Sequence, residues 1–515
     1  MQRDAAALAN TEFDVLIVGA GSHGLFAAYD AARRGLRAAV IDRGDFGGGL
    51  SAIHQRTLHG GLRALQSRDL AKTRAQIAER RTWARIAPHL ITPLPFLFGT
   101  YRTLKRSRFV VRTGFRLYDY LARHRNDGVP GELHLPNGRL ESAAVTRRLF
   151  PGIADDGLTG GAMWYDYQTT QAERLTWCVA LAAAEAGATL VNYVEAVGPL
   201  RTGTGVQARD VVSGATFDIR ARAIVLTAAD GLTALHRAFG LTGDPPLLRA
   251  MNVLLDRPAF DMAHVAPTAT GRMLTAVPWR GFVLVGTGQT TTPVAPGSRA
   301  TDADVDAFVA EANTAFPYLR AGRDDIRLVH DGVVPATSTP KGLDLPRDFS
   351  IVRHASHPHV VSVIGAKYTT ARLAAERAID AVTASLQHRG RACETATRPL
   401  PHAGVADVEG LLIEAAKASG APLPADVLSH LAAWYGTEAT AVLQFARASA
   451  WGDTRLVPES PVLAAEVAYA RTHAMAVTPA DVIDRRTAIG GAGRVTDAMA
   501  ARVRAVWDAT TAAGS

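Results

Sequence analysis

Three stretches of this 515-residue chain carry residue types whose spacing could do chemistry. In the first, Gly19, Gly21 and Gly24 follow the apolar run Phe13 to Val18 in the spacing G-x-G-x-x-G, and the alanine-rich run Leu25 to Arg34 comes next. Gly19 allows a tight turn out of a strand, Gly21 lets the backbone approach a pyrophosphate, and Gly24 lets the helix pack closely on the strand. Asp42, at the tip of the next apolar run Leu36 to Ile41, is placed to accept hydrogen bonds from a ribose. Strand, glycine turn, helix and acid together read as a dinucleotide site; the alternative is an ordinary βαβ unit. In the second stretch, residues 45 to 65, three successive glycines and the pair Gly60-Gly61 make a loop able to lie against a flat ligand. His59 and Arg63 stand four apart at the edge of a helical run from Leu62 to Ala87, on one face if that helix starts there. On local sequence, His59 is either an acid/base or a structural residue that caps the helix. In the third stretch a β-branched run leads into Gly365-Ala366-Lys367-Tyr368-Thr369-Thr370 and an alanine-rich helix. That second glycine turn again offers backbone N–H groups to an anion.

The elements that must position these residues follow from periodicity. Leu175 to Ala186 has helical spacing, Ala188 to Val197 reads as a strand, and Phe217 to Leu226 is another strand, ending at Thr227-Ala228-Ala229-Asp230-Gly231. Segments around 248 to 258 and 272 to 288 alternate apolar and polar residues like antiparallel strands. Pro399-Leu400-Pro401 reads as a linker, and helical period follows in Val405 to Ala418 and Leu423 to Ala448. Those Ala-, Val- and Leu-rich faces need only a packing role, and Arg485 and Arg486 read as structural.

Composition narrows the class. Hydrophobic residues make up 48% and charged residues 20%, which is an ordinary globular balance. Cys178 and Cys393 are the only cysteines, so no disulfide framework, cysteine-based zinc site or other metal site is expected, and a reducing compartment fits. The N-terminus lacks a basic segment followed by an apolar core, and no run approaches the ~20 apolar residues of a membrane span. The formal charge is +8, and basic residues are mostly arginine, with lysine appearing only five times. An anionic partner is therefore favoured. No nucleic-acid signature accompanies the charge. Residues 101 to 125 hold eight Arg or Lys against one acid, interleaved with Phe109, Val110, Phe115, Leu117, Tyr118 and Leu121. That segment suits either an anionic membrane surface or a solvated helix with one face on the core.

From about residue 12 to 505 the chain resembles the FAD-dependent glycerol-3-phosphate dehydrogenase family, within the D-amino-acid-oxidase-like flavoproteins. Leu58-His59-Gly60-Gly61-Leu62-Arg63-Ala64-Leu65 resembles its I-H-G-G-L-R-Y-L motif, and residues 365 to 370 its G-G-K-x-T-T. Ala78 to Leu90 resembles the helix ending in A-P-H-L, and Asp481 to Thr487 the D-V-x-x-R-R-T run. The resemblance implies a Rossmann-like FAD-binding α/β domain with an inserted, mostly antiparallel α+β substrate domain and a C-terminal helical domain. The expected boundaries are 12–395 for the oxidoreductase region and 396–515 for the helical domain. Within the first, FAD-binding parts lie at about 12–90, 150–235 and 340–385, and substrate parts at about 91–149 and 236–339.

The implied reaction takes a hydride from the secondary alcohol of glycerol 3-phosphate, or a related anionic polyol, to FAD, giving a ketone; the electrons then pass to a quinone-type acceptor. His59 is the implied base, Lys367 favours the reduced flavin, and Arg63 and Arg347 hold the anionic end. The implied cofactor-binding set is Gly19, Gly21, Ser22, Gly24, Asp42, Arg43, Ser51, Gly60, Gly61, Val194, Gly365, Lys367 and Thr369. The implied location is cytoplasmic, peripheral on the inner face of the plasma membrane if residues 101 to 125 meet a bilayer; a homodimer is left open. Four departures bear on the pocket. Val334 replaces an arginine that holds the substrate phosphate, and an isopropyl group cannot make a bidentate phosphate contact. Ala64 replaces an aromatic, Ser51 alone remains of a serine loop, and Asp230 stands where related flavoproteins have glycine. Two rivals follow: a flavin oxidase or dehydrogenase acting on an amine, hydroxy acid or modified sugar, and a non-catalytic flavoprotein.

Overall fold

The computed structural model describes residues 1–66, 69–169, 171–404, 408, 410, 412–414, 422–493 and 495–513, with only the backbone of residues 63, 66, 105, 492 and 511–513. Among the described residues the strands form an eight-stranded sheet, a nine-stranded sheet and a two-stranded hairpin. The first sheet is built on Glu12–Val18, whose β-branched and aliphatic side chains are buried on both faces, as a central parallel strand requires. It pairs in parallel with Ala38–Ile41 on one side and Thr216–Leu226 on the other, and the parallel order extends to Thr189–Val191 and His357–Ile364. The helix Ser22–Arg33 crosses from the first strand to the second and packs beside Ala172–Glu185 and Ala371–Ser385.

The second sheet runs Ile326–Pro335, Leu247–Leu255, Phe282–Gln289, Met273–Trp279, Ala263–Pro267, Thr92–Tyr101, Leu158–Gln168 and Thr57–Leu58, with Arg139–Ser142 off this path. Every pairing in it is antiparallel except Ala263–Pro267 with Thr92–Tyr101. Leu158–Gln168 therefore belongs to this sheet, not to the cofactor sheet in which residues 150 to 235 are expected to run. Its long register with Thr92–Tyr101 outweighs its place in sequence.

Other expected elements are divided by local geometry. Leu62 to Ala87 is two helices, Leu62–Gln66 and Leu70–Ile86, because the Asp69 carboxylate accepts from the Lys72 amide and starts the second one. Ala188 to Val197 breaks into Thr189–Val191 and Val194–Pro199, where Tyr193 takes φ +56°. Leu423 to Ala448 divides at Gly436, also at φ +56°, into Ala425–Tyr435 and Ala439–Ala448. Most of Val405 to Ala418 lies outside the described residues. The C-terminal helices have their own cores, around Leu431, Trp434 and Leu443 and around Val467, Val482 and Val506.

Candidate active site

A cavity of about 600 Å³ lies at the carboxyl ends of the parallel strands, within the size range of cofactor sites. Gly19, Gly21, Ser22, Asp42, Arg43, Ser51, Val194 and Gly365 from the expected cofactor set line it. The first glycine turn tolerates no side chain: a Cβ on Gly24 would lie 1.8 Å from the Gly19 carbonyl oxygen, and one on Gly19 would lie 2.9 Å from the Thr227 backbone. The helix Ser22–Arg33 is thus pressed onto the strand with its N-terminus at the cavity, where its dipole favours phosphate. Asp42 Oδ2 accepts from the Ala20 amide at 2.7 Å and Oδ1 from the Gly44 amide at 2.9 Å. Burial raises the Asp42 carboxyl above its ordinary range, against the pull of those two amides. Ser51 Oγ accepts from the Ser22 amide at 2.9 Å, which ties the 45–51 loop to the start of the helix. A glycine cradle, a helix N-terminus and an acid at the second strand's tip are what the dinucleotide end of FAD requires.

Asp230 also lines this cavity, in the place expected for glycine. Its Oδ2 accepts from the Gly297 amide at 3.1 Å, and Arg299 on the same loop pairs with Asp331 at 3.0 Å. The acid therefore bridges the two sheets across the cavity. His54, Tyr368 from the third stretch, and Arg485, which reads from the sequence as structural, also line the wall. The His54 ring stacks on Tyr368 at 4.3 Å.

The remaining expected residues gather beside the cavity rather than in its lining. His59 donates its backbone N–H to Thr369 Oγ1 at 3.1 Å, joining the second stretch to the third. Its ring, about half exposed, lies 3.1 Å through Nδ1 from Asp166 Oδ2 and 3.0 Å through Nε2 from Thr57 Oγ1. Asp166 is buried, and its Oδ1 accepts from the Gly60 amide at 2.8 Å and from Arg80 Nη1. Burial alone would raise the Asp166 carboxyl, but the His59 hydrogen bond and the Arg80 charge hold it below the usual carboxylate range. An ionised carboxylate only accepts, so His59 Nδ1 carries the hydrogen and Nε2 accepts from the Thr57 hydroxyl. Gly60 is required by crowding, since a Cβ there would lie 2.3 Å from both Arg80 Nη1 and Tyr118 Oη. Asp166, Arg80 and Tyr118 are the residues that the sequence reading missed. A lone acid between Tyr165 and Tyr167 on an apolar strand was the available signal.

Lys367 donates from Nζ to the Arg347 backbone carbonyl at 2.6 Å, while Arg347 itself is exposed. The lysine thus meets the arginine's backbone, not its guanidinium. The Arg63 side chain lies outside the described part of the structure. Val334 is 6% exposed and packs with Leu248, Ala336 and Leu343, so its strand position presents an apolar face.

Residues 14–381 match the FAD dependent oxidoreductase family, and residues 393–511 match the C-terminal domain of alpha-glycerophosphate oxidase. A glycerol-3-phosphate dehydrogenase from Synechocystis sp. is 31% identical over 520 residues, covering 95% of this chain and 90% of the relative. The mitochondrial glycerol-3-phosphate dehydrogenase of Homo sapiens is 30% identical, covering 93% of this chain and 68% of that protein. The fold is similar to that of the Bacillus halodurans glycerol-3-phosphate dehydrogenase complexed with FAD, with a TM-score of 0.72 and 22% identity over 98% of this chain and 96% of that one. With the glycine cradle, the second cofactor turn and the C-terminal helical domain in the same order, this chain belongs to the FAD-dependent glycerol-3-phosphate dehydrogenase family.

Proposed function

We propose that this enzyme oxidises the secondary alcohol of glycerol 3-phosphate, or of a related anionic polyol, to the ketone. The observation that carries the reading is the His59–Asp166–Arg80 chain at the Thr369 turn. Asp166 orients the imidazole and fixes its hydrogen on Nδ1, so that Nε2 is the basic nitrogen; it takes the proton of the reacting hydroxyl when that hydroxyl displaces Thr57 Oγ1 from it. When bound, FAD supplies the acceptor for the hydride that leaves the alcohol carbon. Gly19, Gly21, Ser22, Gly24, Asp42, Arg43, Ser51 and Val194 hold its dinucleotide end, and Gly60, Gly61, Gly365, Lys367 and Thr369 its flavin end. Lys367 places a positive charge beside the second cofactor turn, and Arg347 and Arg63 take the substrate's anionic end.

The apolar packing of Val334 favours widening the substrate to anionic polyols other than glycerol 3-phosphate. Anaerobic bleaching of the purified flavoprotein with sn-glycerol 3-phosphate tests whether that compound is itself a substrate. Rapid bleaching is the expected outcome; a flavin that stays oxidised while dithionite still reduces it moves the substrate elsewhere.

The electron acceptor is a membrane quinone, reached by peripheral attachment. Among the described residues no helix is long and apolar enough to cross a membrane. The helix Arg108–Leu121 and the turn before it instead leave Leu104, Phe109, Leu117 and Tyr120 exposed among Arg102, Arg112, Arg116 and Arg123. Apolar side chains set among arginines suit an anionic bilayer surface.

A further inference from the structure

The C-terminal domain reaches the cofactor cavity through one side chain. Arg485 and Arg486 are neighbours in sequence and both bind the buried carboxylate of Asp45, in the loop that follows the second strand. They are used differently. Arg486 is fully committed: Nη1 and Nη2 donate to the two Asp45 oxygens at 2.8 and 2.7 Å, and Nε donates to the Ala474 carbonyl at 2.7 Å. Its guanidinium also lies 4.2 Å over the Trp177 ring, away from the cavity. Arg485 instead lines the cavity. Its Nε donates to Asp45 Oδ2 at 2.7 Å and its Nη2 to Asp481 Oδ1 at 2.6 Å. Among the described residues the remaining nitrogen, Nη1, has only the Asp484 carboxylate at 3.8 Å, too long for a hydrogen bond. Nη1 lies against Gly48, where a Cβ would be 3.7 Å away.

Two carboxylates therefore hold the planar guanidinium by two of its nitrogens and leave the third donor fixed at the cavity wall. Asp42, Arg43, Gly44 and Gly48 form the adjoining wall, next to the glycine turn that cradles phosphate. The same corner is stitched by Tyr193 Oη to Asp481 Oδ1 at 2.7 Å and by Asn192 Nδ2 to Asp45 Oδ1 at 2.9 Å.

We propose that Arg485 is a cofactor-binding residue, donating from Nη1 to the anionic adenosine-diphosphate half of FAD. The C-terminal domain thereby contributes one donor to the wall of the FAD site. The inference rests on FAD as the cofactor and is independent of the substrate and of His59.

The test uses full-length holoenzyme and two readouts: FAD affinity, from the fluorescence of flavin released on dilution, and Tm with and without excess FAD. Arg485→Gln should weaken FAD binding about tenfold, the scale of a hydrogen bond to a charged group. Its Tm should also fall, since Asp45 and Asp481 each lose a buried partner, and excess FAD should recover only the part of that fall due to weaker binding. Arg486→Gln is the structural control, with a lower Tm that excess FAD does not restore. Wild-type FAD affinity in Arg485→Gln, with or without a fall in Tm, would reduce Arg485 to a domain staple and overturn the proposal. Should Arg485→Gln fail to fold, Arg485→Lys decides: it keeps the charge but loses the fork, so severalfold weaker FAD binding supports the assignment and wild-type affinity refutes it.

Discussion

The cofactor end and the His59 end of the site are built in different ways. At the cofactor end the chain's backbone does the work: Gly19 and Gly24, without room for a Cβ, bring helix and strand together and let the Thr227 turn close on them. At the His59 end, side chains from four separate elements converge, with Thr57, Arg80, Tyr118 and Asp166 all closing on His59-Gly60. A site made of backbone fails through crowding. One made of buried charge fails through loss of a partner. Substitutions can therefore separate the two.

The largest effect is expected at the glycine turn. Gly24→Val pushes a branched side chain into the Gly19 carbonyl and Thr227, forcing the helix off the strand at a cost of about 3 kcal/mol or more. The protein should purify without flavin or fail to fold; a full flavin complement would show that the cradle is not where FAD sits. At the other end His59→Asn should lower turnover by about 10²- to 10⁴-fold, the usual worth of a positioned base, with flavin absorbance unchanged. Full activity in that variant would remove His59 from the chemistry. Asp166→Asn leaves the buried Arg80 charge without its carboxylate, which should cost about 3–5 kcal/mol in urea unfolding. A change near zero would mean that Arg80 repairs itself with other acceptors.

Acid should find both regions through their buried carboxylates. Asp45, Asp166 and Glu173, which pairs with Arg56, are all driven up by burial and brought below the ordinary carboxylate range, at Asp166 by the His59 hydrogen bond and then Arg80, at the others by arginine partners. Groups with depressed folded values stabilise the protein above the unfolded carboxylate value of about 4, and lose that contribution as pH falls through the lower folded values. His23, His89, His264 and His330 are pushed by desolvation below the ordinary imidazole range, so unfolding takes up protons at them from about pH 6.5 downward. Urea stability should thus begin to fall below about pH 6.5 and fall further below about pH 4; a level profile from neutrality to about pH 4 would show that those histidines do not stay neutral in the folded protein. The smallest effect on folding is expected outside both ends. Replacing Leu104 and Phe109 together by serine should change stability by less than about 0.5 kcal/mol while releasing the protein from anionic vesicles in a sedimentation assay. Unchanged vesicle binding would leave that surface without a membrane role.

Sequence order alone made the cofactor end readable. Gly19, Gly21, Gly24 and Asp42 sit within one βαβ unit and are legible from their spacing, although Thr227 and Ser51, which crowd those glycines, come from elsewhere in the chain. Strand and helix types were readable for the same reason, because a buried parallel strand and an amphipathic helix each leave a periodic trace. The traces blurred where a single residue breaks the run, as at Asp69, Tyr193 and Gly436.

The other end depended on contacts that no local pattern encodes. Asp166 and Arg80 lie 86 residues apart and meet only because Leu158–Gln168 joins the second sheet beside Thr92–Tyr101. Arg485 is 440 residues from Asp45, and its divergence from Arg486 is a matter of which way two adjacent side chains face. The sequence by itself determined the family, the cofactor and the position of the glycine turn, since glycine spacing and strand periodicity are local constraints. Only the tertiary structure decided which carboxylate fixes the His59 hydrogen and which arginine reaches the cavity, because burial and pairing of charge are set by elements that meet after the chain has folded.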